Sequence, residues 1–372
     1  MGLFFGMPKG TPSVTLTDTT YKLSKDGTVI RVGNTNSSRY DRSTIAIKDG
    51  ILFGSILLPN GTGYRVIHDQ GESYTVQKID RSKFPQEDCE DDEKDKVSRF
   101  QSPGKMLKVA AESVPGEICT SVESSKNIDV LVVYTKAAIA EAGGEQNFGL
   151  AVQATLSETN YAYTDSLVTQ QISVLEPLLY AEGYVEPFST INILNDLRNT
   201  NHSILKKVHE RRDQLKADIV VLVTQKLGAC GRAKTMSTVS HNAAIDAFAV
   251  VPFHCLAGSF AFAHELGHIM GARHDIDTDA TTNAPYKFNH GYVQLNPTDM
   301  NVSPWLTIMA TRKKCDDHNE NHPSDQKKCN RIGFWSNPDK SVDYYGDSLG
   351  KPDESNNCQT LNNTAGTVAN FR

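Results

Sequence analysis

His264 and His268 stand four residues apart with Glu265 between them, and His274 follows just beyond Gly271. Residues four apart share one face of a helix, so both imidazoles can reach a single ion, and zinc suits such a ligand set. Glu265, one step round the same helix, is placed to take a proton from water activated there. Gly271 lets the backbone leave the helix in a conformation that a Cβ would penalise, and the turn brings His274 back as a third ligand. Three histidines leave a fourth position open, which is the arrangement of catalysis and not of a purely structural site. A bare HExxH arises by chance. The complete HExxHxxGxxH spacing, followed at once by Asp275 and preceded by the apolar run Phe260-Ala261-Phe262-Ala263, is far more specific.

Such a constellation needs a frame to hold it. The C-terminal part opens on the buried strand Ile128-Asp129-Val130-Leu131-Val132-Val133-Tyr134. A helix is predicted over roughly 145–166, with Phe148, Val152, Leu156 and Tyr163 near one face. A strand at 171–178, a helix near 202–215 and the strand Ala217-Asp218-Ile219-Val220-Val221-Leu222-Val223 follow, and Ala247-Phe248-Ala249-Val250-Val251 precedes the histidine helix. Strands alternating with helices imply an α/β (α+β) layered domain. Residues 13–85 read differently. Short β-type runs there are divided by turn signals, and Asp49-Gly50 between two apolar runs marks a hairpin. Between them the run Glu87-Asp88-Cys89-Glu90-Asp91-Asp92-Glu93-Lys94-Asp95 is too charged to bury. The expected organisation is an all-β domain over 1–85, an acidic linker over 86–127 and the metal-bearing domain over 128–372.

Bulk composition narrows the class. A chain of 372 residues exceeds one comfortable core, so two domains are expected. With 38% hydrophobic and 22% charged residues it reads as a soluble globular protein, and a net charge of −6 argues against nucleic acid as a partner. No stretch is long and apolar enough to span a membrane. The start, Met1-Gly2-Leu3-Phe4-Phe5-Gly6-Met7, lacks a basic region and is too short in its apolar run for a signal peptide. Cysteine usage nevertheless points outside the cell. Cys89 stands alone, while Cys119, Cys230, Cys255, Cys315, Cys329 and Cys358 form an even set without zinc-ligand spacing. The preferred pairs are Cys230–Cys255 and Cys315–Cys329, with Cys119–Cys358 by default.

Several further segments carry a family resemblance: Val132-Val133-Tyr134-Thr135, the histidine motif, His290-Gly291-Tyr292, Thr307-Ile308-Met309-Ala310, Phe334-Trp335-Ser336-Asn337-Pro338, and the ending from Leu361 to Arg372. Together they resemble a metzincin metallopeptidase, and within that clan the bacterial peptidyl-Asp and reprolysin-like groups. The likeness covers 128–372, and the N-terminal segment is more weakly similar to a propeptide of the same group. It implies a metzincin-type domain with a twisted mixed sheet, a zinc-binding helix, and a turn in which Met309 forms an apolar floor beneath the histidines. Two departures stand out. Thr311 occupies the place where several metzincin branches carry a tyrosine, and Asn356-Asn357-Cys358 replaces an alanine-rich approach to the last helix.

The function implied is that of a secreted, monomeric zinc endopeptidase acting on proteins or peptides, with Glu265 as general base and an intramolecular propeptide as partner. The rival reading is a non-catalytic secreted binding protein or toxin component with structural zinc, against which an intact Glu265 argues. The strand Gly231-Arg232-Ala233-Lys234-Thr235 could hold an extended substrate by β-augmentation. The peptidyl-Asp likeness implies cleavage before acidic residues, for which Arg312, Lys313 and Lys314 are the candidate cations. Cys89 is a candidate latency ligand, since a thiolate in the open position would displace the catalytic water. Cys89→Ala in the full chain is expected to raise activity or speed maturation, read by digestion of an unstructured protein. An unchanged latent enzyme would leave Cys89 an idle linker thiol.

Overall fold

Period-two alternation governs the first part of the chain. β1 (Leu16–Leu23), β2 (Val29–Thr35), β3 (Ser38–Lys48), β4 (Ile51–Leu57), β5 (Thr62–His68) and β6 (Tyr74–Asp80) pair in chain order into one antiparallel sheet. The β3–β4 hairpin turns on Asp49 and Gly50, both at positive φ (50° and 79°), whose twist suits paired strands. Alternation gives the sheet two apolar faces. Ile45, Leu52, Ile56 and Val66 cluster on one, and Ile30, Val32, Ala46, Phe53 and Leu57 join the main core on the other. The structure is a computed structural model that describes residues 15–80 apart from 25, 36–37, 59–61 and 70, then residue 119, and 127–372 apart from 226–227. The acidic run at 87–95 with Cys89 lies outside the described residues, as does the opening segment.

The remainder is a mixed α/β body. It contains β7 (Ile128–Tyr134), α1 (Lys136–Ala142), α2 (Glu145–Asp165), β8 (Ile172–Val174), β9 (Leu179–Tyr180), α3 (Thr190–Arg198), α4 (Lys206–Leu215), β10 (Ile219–Thr224), β11 (Arg232–Ala233), β12 (Phe248–Pro252) and α5 (Ala261–Ile269). The sheet order is β11-β12-β10-β7-β8, with β9 also on β7; β11 runs antiparallel and the other neighbours parallel. Both faces are covered, which is why β7, β10 and β12 read as unbroken Val, Ile and Leu runs. Val130, Val132 and Val221 pack toward the α2 and α5 side, while Leu131, Val133, Val220 and Leu222 meet Ile193, Leu194 and Leu197 of α3 and Val208 of α4.

Three local readings shift. The strand expected at 171–178 divides into β8 and β9 around Pro177, which has no N–H for a ladder. The helix expected from 202 starts at Lys206, because the His202 ring accepts the N–H groups of Ile204 and Leu205. α3 was not anticipated; its nine residues are too few for a clear period. A buried guanidinium closes this region. Arg212 donates from Nε to Ala217 O (3.1 Å), from Nη1 to Ala244 O (2.9 Å) and from Nη2 to Asp218 O, and stacks on the Phe248 ring.

Shorter elements complete the chain: β13 (Val293–Gln294), β14 (Trp305–Leu306), α6 (Lys313–Asn321), β15 (Asn330–Arg331), β16 (Asp343–Tyr344), β17 (Asp347–Ser348) and α7 (Asn357–Val368). Disulfides pin these segments in the pairs preferred from the sequence. Cys119 is bonded to Cys358 of α7, Cys230 to Cys255, and Cys315 of α6 to Cys329. The unexpected Asn356-Asn357-Cys358 has local work. The Asn356 side chain caps α7 at Gln359 N, Asn357 Nδ2 donates to Asn289 O, and Cys358 carries the bridge. Among the described residues no helix is long and apolar enough to cross a membrane.

Candidate metal centre

α5 carries two of the histidines on one face and ends where the chain must turn back. Gly271 sits at φ 90°, where a Cβ is strained, and its turn returns His274 to the helix. The ligand-capable atoms of His264, His268 and His274 lie within 4.8 Å of one another, and all three side chains are buried. For two of them the other ring nitrogen is committed. His264 Nδ1 faces Ile308 O at 2.8 Å, and His268 Nδ1 faces Ala272 O at 3.1 Å. A carbonyl oxygen only accepts, so each Nδ1 carries the proton and each Nε2 turns a lone pair to the centre. His264 Nε2 and His274 Nε2 are 3.0 Å apart. Two lone pairs at that distance repel unless a cation or a proton lies between them, so the residues fit a divalent ion that favours imidazole, such as zinc.

Glu265 is fully buried beside the triad, and its neighbour explains where its carboxylate goes. A Cβ built on Gly231 would lie 2.2 Å from Glu265 Oε1 and 2.6 Å from its Cδ. The backbone at 231 therefore lies against the carboxylate, and no side chain fits between them. Cys230, bonded to Cys255 shortly before α5, fixes that approach. Just beyond, β11 is the last strand on its side of the sheet among the described residues, with Arg232 opposite Val250 and Ala233 opposite Ala249. Nothing in the sequence distinguished Gly231 from other glycines, because the contact joins residues far apart in the chain.

Beneath α5 the packing is equally close. A Cβ on Gly267 would come within 2.6 Å of Met309 Sδ and 2.8 Å of the Trp335 ring, and one on Gly291 within 2.5 Å of Ala310 N. Met309 and Trp335 are both fully buried and support the helix from below. Asp275 ties the far end of the motif to the same segment. Its Oδ2 accepts from Thr311 N at 2.8 Å and from Thr311 Oγ1 at 3.2 Å, and Thr278 Oγ1 donates as well. Burial raises the Asp275 carboxyl above its usual range, and these donors pull it back. Thr311 thus braces the loop. His290, picked out only as part of a segment, faces His274 O at 2.7 Å and Thr281 O at 2.9 Å with its two ring nitrogens.

The basic candidates separate. Lys313 pairs with Asp317 at 2.5 Å and Lys314 with Asp277 at 3.2 Å, both near the surface. Arg312, half-buried, stands at the head of α6. Arg331 was missed by sequence reasoning. From β15 its guanidinium donates to Ala310 O at 3.2 Å and to Ser259 O at 3.5 Å, spanning the exit of the Met309 turn and the entry to α5. Cys89 lies outside the described residues. Cys230, His254 and Cys255 also cluster, but the disulfide leaves no thiolate for a metal.

Comparison with known proteins agrees with this geometry. A family model described as metallo-peptidase family M12 matches residues 124–322. A peptidyl-Asp metalloendopeptidase of Stenotrophomonas maltophilia (strain K279a) is 30% identical over 333 residues, covering 89% of this chain and 70% of that protein. One from Xanthomonas campestris pv. campestris is 31% identical over 335 residues, covering the same 89% and 70%. Another, from Pseudomonas fragi, is 37% identical over 118 residues, 32% of this chain and 62% of that protein.

Native mass spectrometry should find one metal ion per chain, removable by chelator. His274→Ala should weaken the ion by more than the roughly 10–100-fold that loss of a ligand's hydrogen-bonding partner costs. Unchanged metal content in that variant would place the ion elsewhere.

Proposed function

Because this chain belongs to metallo-peptidase family M12 and is a metalloendopeptidase, we propose that it is a secreted zinc enzyme, made as a latent precursor, that cuts before acidic residues. The observation that carries the reading is the convergence of His264, His268 and His274 beside the buried carboxylate of Glu265. When bound, zinc supplies Lewis acidity, lowering the pKa of water and polarising a carbonyl. Glu265 takes the proton as the water oxygen bonds to the scissile carbon, and gives it to the leaving amine as the C–N bond breaks. Close packing against Gly231 limits where that carboxylate can be, and alignment of a general base is worth about 10²–10⁴-fold in rate. β11, at the sheet edge among the described residues, offers an extended peptide a strand to pair with.

The acidic preference rests on the names of the relatives and on the available cations. Lys313 and Lys314 are engaged with aspartates at the surface, which leaves Arg312 and Arg331 as the stronger candidates. Arg331 is favoured because its guanidinium touches both segments that flank the metal-bearing helix. An Arg fork matches a carboxylate in two parallel hydrogen bonds. Secretion is supported by three disulfides, which persist in oxidising surroundings. Those bridges use six of the seven cysteines, leaving Cys89 as the thiol for a latency ligand, with the N-terminal sheet as propeptide. The enzyme is read as a monomer.

Digestion of an unstructured protein should stop on chelation. Glu265→Gln should retain metal and lose at least about 10²-fold in kcat, and Gly231→Ala should lose activity similarly by displacing the carboxylate. Full activity in Glu265→Gln would remove it as the base. On matched peptides, Arg331→Gln should cut the preference for Asp over Asn roughly thirtyfold or more with metal retained. Loss of the preference only in Arg312→Gln would move the role to the head of α6.

A further inference from the structure

The six-stranded sheet is fastened to the α/β body over a broad front. Ile30, Val32, Phe53 and Leu57 share one buried apolar cluster with Phe148 and Val152 of α2. Polar links surround that core. Arg42 pairs with Asp165 at 2.7 Å, the Thr20 and Tyr161 hydroxyls lie 2.6 Å apart, and Asn147 Nδ2 donates to His68 O at 2.7 Å. At another corner Arg39 and Tyr40 both reach Asp343, and the Ser38 and Tyr345 hydroxyls meet.

The deepest link is Arg65 in β5. Its Nη2 donates to His254 O at 2.9 Å and to Ala257 O at 2.7 Å, and the residue is only 5% exposed. Burial pushes its guanidinium down to about 10, against the pull of Glu158 and Glu141. Glu158 Oε2 accepts from Gly258 N at 2.8 Å. A Cβ on Gly258 would come within 3.1 Å of Ser55 Oγ and 3.2 Å of Ile79 Cδ1. The sheet thus grips residues 254–258, which carry Cys255 and its bridge to Cys230, and which run directly into α5. Removing the sheet would strip two carbonyls and Glu158 of a buried cation and expose the apolar face of α2, costs that oppose separation.

These contacts fall on α2, on 254–258 and on 343–345. Among the described residues, Gly231, Ala272, Ile308 and Met309 lie against the metal centre, and they belong to other segments. We propose that the six-stranded sheet, though made as propeptide, is kept as a standing part of the enzyme: once the connection across residues 81–118 is cut, it stays bound through Arg65 and the α2 face and holds the lead-in to α5 in place.

The test uses the full chain carrying a recognition sequence for a site-specific protease between residues 81 and 118, ahead of Cys119. A Glu265→Gln background prevents self-digestion. After cutting under native conditions, both fragments should elute together from a sizing column at the mass of the intact chain. Arg65→Met should raise their dissociation constant roughly a hundredfold or more, with Arg65→Lys, which keeps the charge and a donor, in between. A cut Glu265-bearing chain should hold metal and cleave protein with the sheet still attached. Elution of the sheet as a separate fragment from the cut chain with Arg65 intact would overturn the proposal. So would a cut enzyme that becomes active only when mild urea strips the sheet, which is how an inhibitor behaves. The association readout needs no peptidase activity, so it stands apart from the catalytic reading.

Discussion

Three basic nitrogens turned toward one point in a dry interior set the terms for everything around them. A ring that turns one nitrogen to that point keeps its proton on the other, and for two of the three rings a carbonyl holds it there. Ile308 O serves His264 and Ala272 O serves His268, and both come from segments that leave the helix and return. For those segments to come close enough, side chains must be absent where backbones meet. Gly267 over Met309, Gly291 against Ala310 and Gly231 against Glu265 are points where even a methyl group would collide. Gly271 adds a backbone conformation that only glycine adopts without strain. The site is defined as much by missing atoms as by the ligands.

The same contrast explains what could be read from the chain alone. His264, Glu265, His268, Gly271 and His274 are close in sequence and share one helix and one turn, so their spacing carries their geometry. The apolar runs of β7, β10 and β12 announced buried strands for a similarly local reason. Gly231 is one of 26 glycines and its significance lies in a contact made across the fold. Arg331 is an ordinary basic residue until β15 brings it between Ser259 and Ala310. α3 was hidden because a short helix gives too few turns for a period to emerge. Local pattern yields elements and motifs; long-range packing decides which residues touch them.

Polar groups in the interior follow one rule throughout. Arg212 satisfies three carbonyls where α4 meets β10, Asp275 gathers the Thr311 and Thr278 donors, and Arg65 serves His254 and Ala257. In each case a charged side chain closes a place where irregular backbone is buried without a ladder to pair it. Such a bond adds little beyond the water it replaces, yet removing one partner leaves the other stranded. The loops around the metal centre are therefore held by groups that specify a single arrangement, while the apolar clusters supply the bulk of the driving force.

The bridge between Cys119 and Cys358 ties the chain just ahead of β7 to α7 near the opposite end of the sequence. It makes the point of processing topologically decisive. A cut upstream of Cys119 leaves an N-terminal polypeptide with no covalent bond to the rest. A cut between Cys119 and Ile128 instead yields a two-chain molecule whose mass is that of the precursor plus one water. On a non-reducing gel the second kind of product would migrate as uncut protein, and only a reductant would divide it.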